Sequence, residues 1–194
     1  MTPTGQEPGS GEVWLARHGE TEWSRAGRHT GVTDRPLTET GEQRARALAG
    51  RLSRVRFDLV LTSPRQRARR TAALAGFPDA QVDPDLAEWA YGDYEGQTSE
   101  QIHETWPGWT IFADGAPGGE TPDEMTQRVD RVVAACREHG GRMLLFGHGH
   151  CLRALATRWI GQPVLLGAHL PLETGRLSVL GYDRGIPTID TWNT

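Results

Sequence analysis

RMLLFGHGHCLRALATRWI, residues 142–160, decides the fold. Met143 to Phe146 form an unbroken apolar run of strand length, and the stretch from about Cys151 to Ile160 reads as a helix. Only Gly147-His148-Gly149-His150 separates them, so a buried strand feeds a helix through a short polar exit. The same alternation recurs outward from this unit. Short apolar runs at 13–16, 57–61 and 177–180 read as further strands. Between the first two, residues 38–54 hold a helix whose stripe is Ala45, Leu48, Ala49, Leu52 and then Val55. A second helix begins after Ser63, with Pro64 at its first position and Ala68, Thr71, Ala72 and Ala75 along one face. A third is bounded by the capping box Thr121-Pro122-Asp123-Glu124 and by Gly140-Gly141, with Met125, Val129, Val132, Val133 and Cys136 as its apolar stripe. This order predicts an α/β fold: a three-layer α/β/α sandwich with a mostly parallel sheet, in one domain over 12–194. Met1 to Gly11 (MTPTGQEPGSG) reads as a disordered lead-in.

Composition narrows the chemistry. The chain has 194 residues and a formal charge of −4, and all 21 of its basic residues are Arg. Without Lys, a Walker-type phosphate loop, a Schiff-base enzyme and a Ser-Lys dyad are excluded. The charge balance argues against a nucleic-acid partner and against an anionic membrane surface. No apolar run reaches membrane-spanning length and the N-terminus lacks a signal-peptide layout, which predicts a cytoplasmic protein. Cys136 and Cys151 are too few for a disulfide framework and read as buried thiols.

In a parallel sheet the ligand site lies beyond the carboxyl ends of the strands. Here those exits are Arg17-His18-Gly19-Glu20, Ser63-Pro64-Arg65-Gln66-Arg67 and Gly147-His148-Gly149-His150. Histidine and arginine converging on one crevice suit a phosphoryl group, because guanidinium forks match its oxygens and imidazole can attack phosphorus.

These blocks carry a family resemblance. LARHGETEW (15–23) resembles the signature of the histidine phosphatase superfamily, which includes the cofactor-dependent phosphoglycerate mutases. TSPRQRARRTA (62–72), LAEWAYGDYEG (86–96) and FGHG (146–149) are similar to its further blocks and follow in the expected order. The resemblance implies a phosphoglycerate mutase-like fold. It implies His18 as the nucleophile that takes the phosphoryl group, Arg17, Arg67 and His148 as the clamp on its oxygens, and Glu88 as the general acid. It implies neither a metal nor another cofactor. The mutases carry basic residues after the acid block, whereas residues 97–120 hold no Arg or Lys, so phosphatase is the preferred reading. EWS (22–24), TGVTDRPLT (30–38) and GHGH (147–150) look like the subgroup that contains sedoheptulose 1,7-bisphosphatase and related acid phosphatases. That resemblance implies a small phosphate ester as the partner, with a sugar phosphate first. Ser24, Thr30, Gly31 and Gly149 would touch the phosphate or the adjoining substrate, and Tyr91 and His29 would lie near the rim.

Other readings compete. His148-Gly149-His150 matches a metal-binding HxH pair, but no HExxH or further ligand cluster accompanies it. Cys136 and Arg142 have the Cys-x5-Arg spacing of a cysteine phosphatase loop, yet Cys136 ends a helix leading into a strand, the wrong order for that loop. Phosphoryl transfer of the mutase type and a non-catalytic binder of phosphoryl ligands remain alternatives. Arg65, Arg69 and Arg70 read as surface charge, and Trp89, Trp106 and Trp109 as core or lid packing. The Gly-, Pro- and Trp-rich segment 97–120 could form a lid, and the strand near Leu177 could be a sheet edge that pairs across a homodimer.

Overall fold

The computed structural model describes residues 11–194, so the lead-in expected at 1–11 lies outside the described residues except for Gly11. Six strands form one sheet in the order β3-β2-β4-β1-β5-β6. These are β1 (Glu12–Arg17), β2 (Leu59–Thr62), β3 (Gln81–Val82), β4 (Arg142–Gly147), β5 (Leu177–Asp183) and β6 (Ile186–Thr191). β3, β2, β4 and β1 run parallel, and β5 and β6 complete the sheet antiparallel to their neighbours. β4 therefore lies between β2 and β1, which sets its carboxyl end at the centre of the crevice.

Side-chain alternation produces the three layers. Val13 and Leu15 of β1, with Met143 and Leu145 of β4, face the larger core, built on α6 (Pro122–His139) and α7 (Gly149–Trp159). Ala16, Leu144 and Phe146 face the other way, onto α2 (Glu39–Leu52) and α3 (Gln66–Leu74). The expected helical stripes are buried at Ala45, Leu48 and Leu52, at Ala68, Thr71, Ala72 and Ala75, and at all five positions of α6. The α6 capping box is formed, and Gly140 closes the helix in the left-handed conformation at φ 68°.

Several expectations are corrected. Pro64 lies outside α3, which starts at Gln66, because the carboxylate of Asp34 accepts the Gln66 N–H and supplies the N-terminal cap from another segment. α7 begins two residues earlier than expected, which makes His148 its N-cap. β5 is no sheet edge: β6 covers it through a two-residue turn in which Arg184 (φ 51°) and Gly185 (φ 80°) both take the positive φ of a type I′ hairpin. Segment 97–120 contains α4 (Ser99–His103) and α5 (Ile111–Asp114), and its Ile102, Trp109, Ile111 and Phe112 are buried in the larger core. Trp89 is buried too, whereas Trp106 is 42% exposed and packs in no core. Both cysteines are buried. Among the described residues no helix is long and apolar enough to cross a membrane.

The loop after β1 is seated on the first turn of α2. The Thr38 hydroxyl, which caps α2, donates to the Glu20 carboxylate at 2.8 Å, and the Thr38 N–H donates to the Glu20 carbonyl at 2.9 Å. The two backbones come so close that a Cβ on Gly41 would stand 2.1 Å from the Glu20 carbonyl oxygen. Alanine ordinarily favours a helix over glycine by about 1 kcal/mol. Gly41→Ala should instead lower stability by about 2 kcal/mol in urea unfolding, because the contact is backbone against backbone and neither side can yield cheaply.

Candidate active site

The carboxyl ends of β1, β4 and β2 deliver adjacent groups, as their order requires. His18 follows β1, His148 follows β4, and Ser63 follows β2, with Arg67 the second residue of the succeeding helix α3. The His18 and His148 rings lie 5.1 Å apart. A cleft of about 140 Å³ opens beside them, and its wall includes Arg17, His18, Ser24, Thr30, Glu88 and Tyr91. A wider groove of about 600 Å³ lies at the opposite ends of the strands, but its lining, which includes Glu12, Arg56, Asp58 and Arg142, contains no histidine, cysteine or serine.

His18 has a defined tautomer. Its Nδ1 lies 2.7 Å from the Gly19 carbonyl, which can only accept, so Nδ1 carries the proton and Nε2 keeps the lone pair. Burial and the neighbouring Arg67 and Arg17 guanidiniums hold its pKa well below the ordinary histidine value. The Gly19 N–H donates to Thr71 Oγ1 at 3.0 Å and the Thr71 hydroxyl donates to the Arg67 carbonyl at 2.7 Å, which ties the loop to α3. Arg17 donates to the Leu172 carbonyl, while its buried Nε has no protein partner. A Cβ at position 149 would stand 3.1 Å from Arg17 Cζ, so Gly149 gives the guanidinium room to lie against the start of α7.

The carboxylate of Glu88 is bound to the N-terminus of α7. Oε1 accepts from the N–H groups of Trp89 (2.9 Å) and Cys151 (2.8 Å), and Oε2 accepts from that of His150 (3.1 Å). Helix N-termini favour such anions, and Oε2, with one partner, retains open lone-pair capacity.

Arg67 and His148 stand behind this wall. Arg67 is fully buried, and it donates from Nε to His148 Nδ1 at 3.1 Å, from NH1 to the Thr33 carbonyl, and from NH2 to the Thr30 and Gly31 carbonyls. With Nδ1 accepting, neutral His148 carries its proton on Nε2, which lies 2.7 Å from Ser63 Oγ. The clamp expected of these two side chains is thus engaged with the protein, because the buried carbonyls of 30–33 require donors. Gly31 is likewise structural. Its N–H donates to the Glu95 carboxylate at 3.0 Å, and a Cβ there would stand 2.3 Å from the Trp89 carbonyl oxygen. Ser24 Oγ serves the capping box of α1 (Glu22–Arg25), and the Thr30 hydroxyl donates to the Arg28 carbonyl.

Sequence reading missed Arg28 and Arg153, which also line the cleft, and gave His150, present in its exit block, no role beyond the HxH pair. Arg153 follows Gly149 by four residues and so shares its helix face, a spacing that was readable. It is anchored to the carbonyls of Gly167 and Ala168 and lies over the Phe112 ring at 4.7 Å. His150 meets the Tyr91 hydroxyl through Nδ1, and His29 stacks at 4.8 Å on the Tyr91 ring. Burial keeps the Tyr91 phenol protonated, with its pKa raised well above the ordinary value, so its O–H donates and His150 Nε2 holds the proton. Arg65, expected as surface charge, is half-buried beside Ala87 and Glu88, whereas Arg69 and Arg70 are exposed. Three guanidiniums and one carboxylate line the cleft. Among the described residues no three His, Cys, Asp or Glu side chains are grouped to hold a metal ion.

Comparison with known proteins identifies the family. The family model for the histidine phosphatase superfamily (branch 1) matches residues 13–194. The chain belongs to that superfamily. It is 42% identical over 176 residues to an acid phosphatase of Mycobacterium tuberculosis, covering 89% of this chain and 87% of that one. It is 37% identical over 193 residues to the sedoheptulose 1,7-bisphosphatase of Saccharomyces cerevisiae, covering 82% and 70%. The solved structure of a Mycobacterium tuberculosis open reading frame superposes with a TM-score of 0.91 at 38% identity, covering 94% and 96%.

The site of this superfamily member has a thermodynamic signature. Burial holds His18, His148 and His150 well below the ordinary histidine pKa and brings His29 down to about 4. In the unfolded chain they titrate near 6.5, so below that pH the unfolded state binds more protons and stability falls with pH. Each group contributes a slope of up to about 1.4 kcal/mol per pH unit. Urea unfolding between pH 7 and 5.5 should show this loss, less steeply in His29→Asn; a flat profile would contradict neutral burial of these rings.

Proposed function

We propose that the chain is a metal-independent phosphomonoesterase that works through a phosphohistidine. The observation that carries this reading is His18, held neutral with Nδ1 bound to the Gly19 carbonyl and Nε2 left free on a cleft wall it shares with Arg17 and Glu88. Nε2 attacks phosphorus in line, the bond to the ester oxygen breaks, and Glu88, as the general acid, gives a proton from Oε2 to the leaving oxygen. Water then attacks phosphorus, the carboxylate of Glu88 takes the water proton, and the P–N bond breaks to return neutral His18. Arg17, with its unpartnered Nε–H, stabilises the charge on the transferring oxygens. Arg67 and His148 act from behind by holding Thr30 and Ser63 and, in the case of Arg67, by disfavouring a proton on His18.

A sugar phosphate is the substrate class this cleft fits best. Arg28 and Arg153 supply cationic charge beyond that of Arg17, which suits an ester with a further anionic group, while His150 and Tyr91 offer uncharged polar contacts for hydroxyls. The names of the acid phosphatase and bisphosphatase relatives support hydrolysis over transfer.

Phosphate release should be measured in chelator with fructose 1,6- and sedoheptulose 1,7-bisphosphates, 3-phosphoglycerate, nucleotides and an aryl phosphate. The wild type should turn over, and His18→Ala should lose at least about 10⁴-fold in kcat. Turnover that requires added metal or survives in the variant would refute the mechanism. Phosphoryl transfer to a second position of 3-phosphoglycerate would favour the mutase reading, and tight binding without release would favour a non-catalytic binder.

A further inference from the structure

Glu88 separates two clefts. One is the reaction cleft, and the other is lined on its far side by Ala87, Gly119, Glu120 and Arg128. Arg128 projects from α6 and is largely buried, with its side chain 13% exposed. Its NH1 donates to the carbonyls of Asp85 (2.6 Å) and Ala87 (2.8 Å), the latter immediately preceding Glu88. Nε and NH2 form a bidentate pair with the Glu120 carboxylate at 2.8 and 2.7 Å. Glu120 is held on its own side, since its carbonyl accepts from Trp89 Nε1 at 2.7 Å and its N–H donates to the Ala90 carbonyl at 2.8 Å. One guanidinium therefore joins the acid-bearing segment to the end of segment 97–120. The nearby Arg131–Asp85 pair is more exposed and provides a weaker hold of the same segment.

We propose that Arg128 is a positioning residue for proton transfer: it fixes the backbone at Ala87 so that the Glu88 carboxyl reaches the leaving oxygen, and through Glu120 it makes that placement depend on how segment 97–120 is seated. The inference rests on the reading of Glu88 as the general acid. Its physical basis is that the α7 N–H groups orient the carboxylate only if the Glu88 backbone stands at the right distance from that helix. Proton transfer is sensitive to such placement, with displacements of about 1 Å costing roughly 100-fold.

Leaving-group chemistry separates positioning from general loosening. An alkyl phosphate such as glycerol 3-phosphate releases a poorly stabilised alkoxide and needs the acid, whereas 2,4-dinitrophenyl phosphate releases a stable phenolate and does not. Arg128→Met should lower kcat/KM, which reports the steps up to phosphohistidine formation and leaves out the Glu88-assisted hydrolysis common to both esters, by about 30-fold for the alkyl ester and by less than about 3-fold for the aryl ester, a diluted form of the pattern of Glu88→Gln. Arg128→Lys should recover part of the alkyl activity. Glu120→Gln, a near-isosteric change, should reproduce the split more weakly and serves if Arg128→Met fails to fold. Equal losses on both esters, or no loss on either, would overturn the proposal while Glu88→Gln keeps its split. If Glu88→Gln shows no split although His18→Ala is inactive, the acid assignment itself falls and the proposal falls with it.

Discussion

The site depends on one buried guanidinium. Arg67 has no exposed surface, yet it satisfies carbonyls at Thr30, Gly31 and Thr33 and sets the tautomer of His148. A buried cation is tolerable only when its donors are paired, and here they go to neutral carbonyls and an imidazole while the Asp34 carboxylate stands off at 3.9 Å, so its positive charge is only partly offset. That residual charge bears on His18: beside Arg67 and Arg17, a further positive charge on its ring is disfavoured. The same group thus holds the loop that walls the cleft and keeps the His18 ring neutral, as the proposed reaction requires.

A consequence is a division of labour between front and rear of the crevice. Side chains in front have spare hydrogen-bonding capacity, as at Arg17 Nε and Glu88 Oε2, and those behind are engaged with the protein. Rigid support behind a small set of open groups is what the proposed in-line displacement needs, because little of the binding energy is then spent on reorganisation.

Much of this arrangement is legible in the sequence, for identifiable reasons. The apolar run 143–146 and the capped helix after Thr121 are long or strongly marked, and both appear with boundaries shifted by one residue or less. Arg17 and His18 reach the cleft at the exit of β1, as strand order requires, whereas Glu88 and Tyr91 come from the loop after β3 and are held there by the start of α7. What sequence hides is the destination of hydrogen bonds: nothing in TSPRQRARRTA says that Arg67 will be consumed by carbonyls of residues 30–33. Helices α1 and α4, at four and five residues, are too short for periodicity, and their only marks are the Thr21–Ser24 and Thr98–Gln101 capping boxes. β6 was overlooked because Pro187 interrupts the strand pattern, although the Arg184-Gly185 turn announces a hairpin.

Pro187 also governs what the margin of the sheet can do. Asp183 and Ile186 close the two-residue turn as a hydrogen-bonded pair, so Tyr182 and Pro187 form the next, non-bonded pair, and the nitrogen of Pro187 points outward. That margin lacks a donor where an incoming strand would need one, and the strand is offset further by the irregularity at Val179 and Leu180. The opposite margin, β3, is two residues long and offers almost no template. Both borders resist sheet extension, so β-augmentation, whether by a peptide or by a neighbouring copy, is disfavoured, and the outer faces of the helices are left as the surfaces on which recognition by other macromolecules would be built.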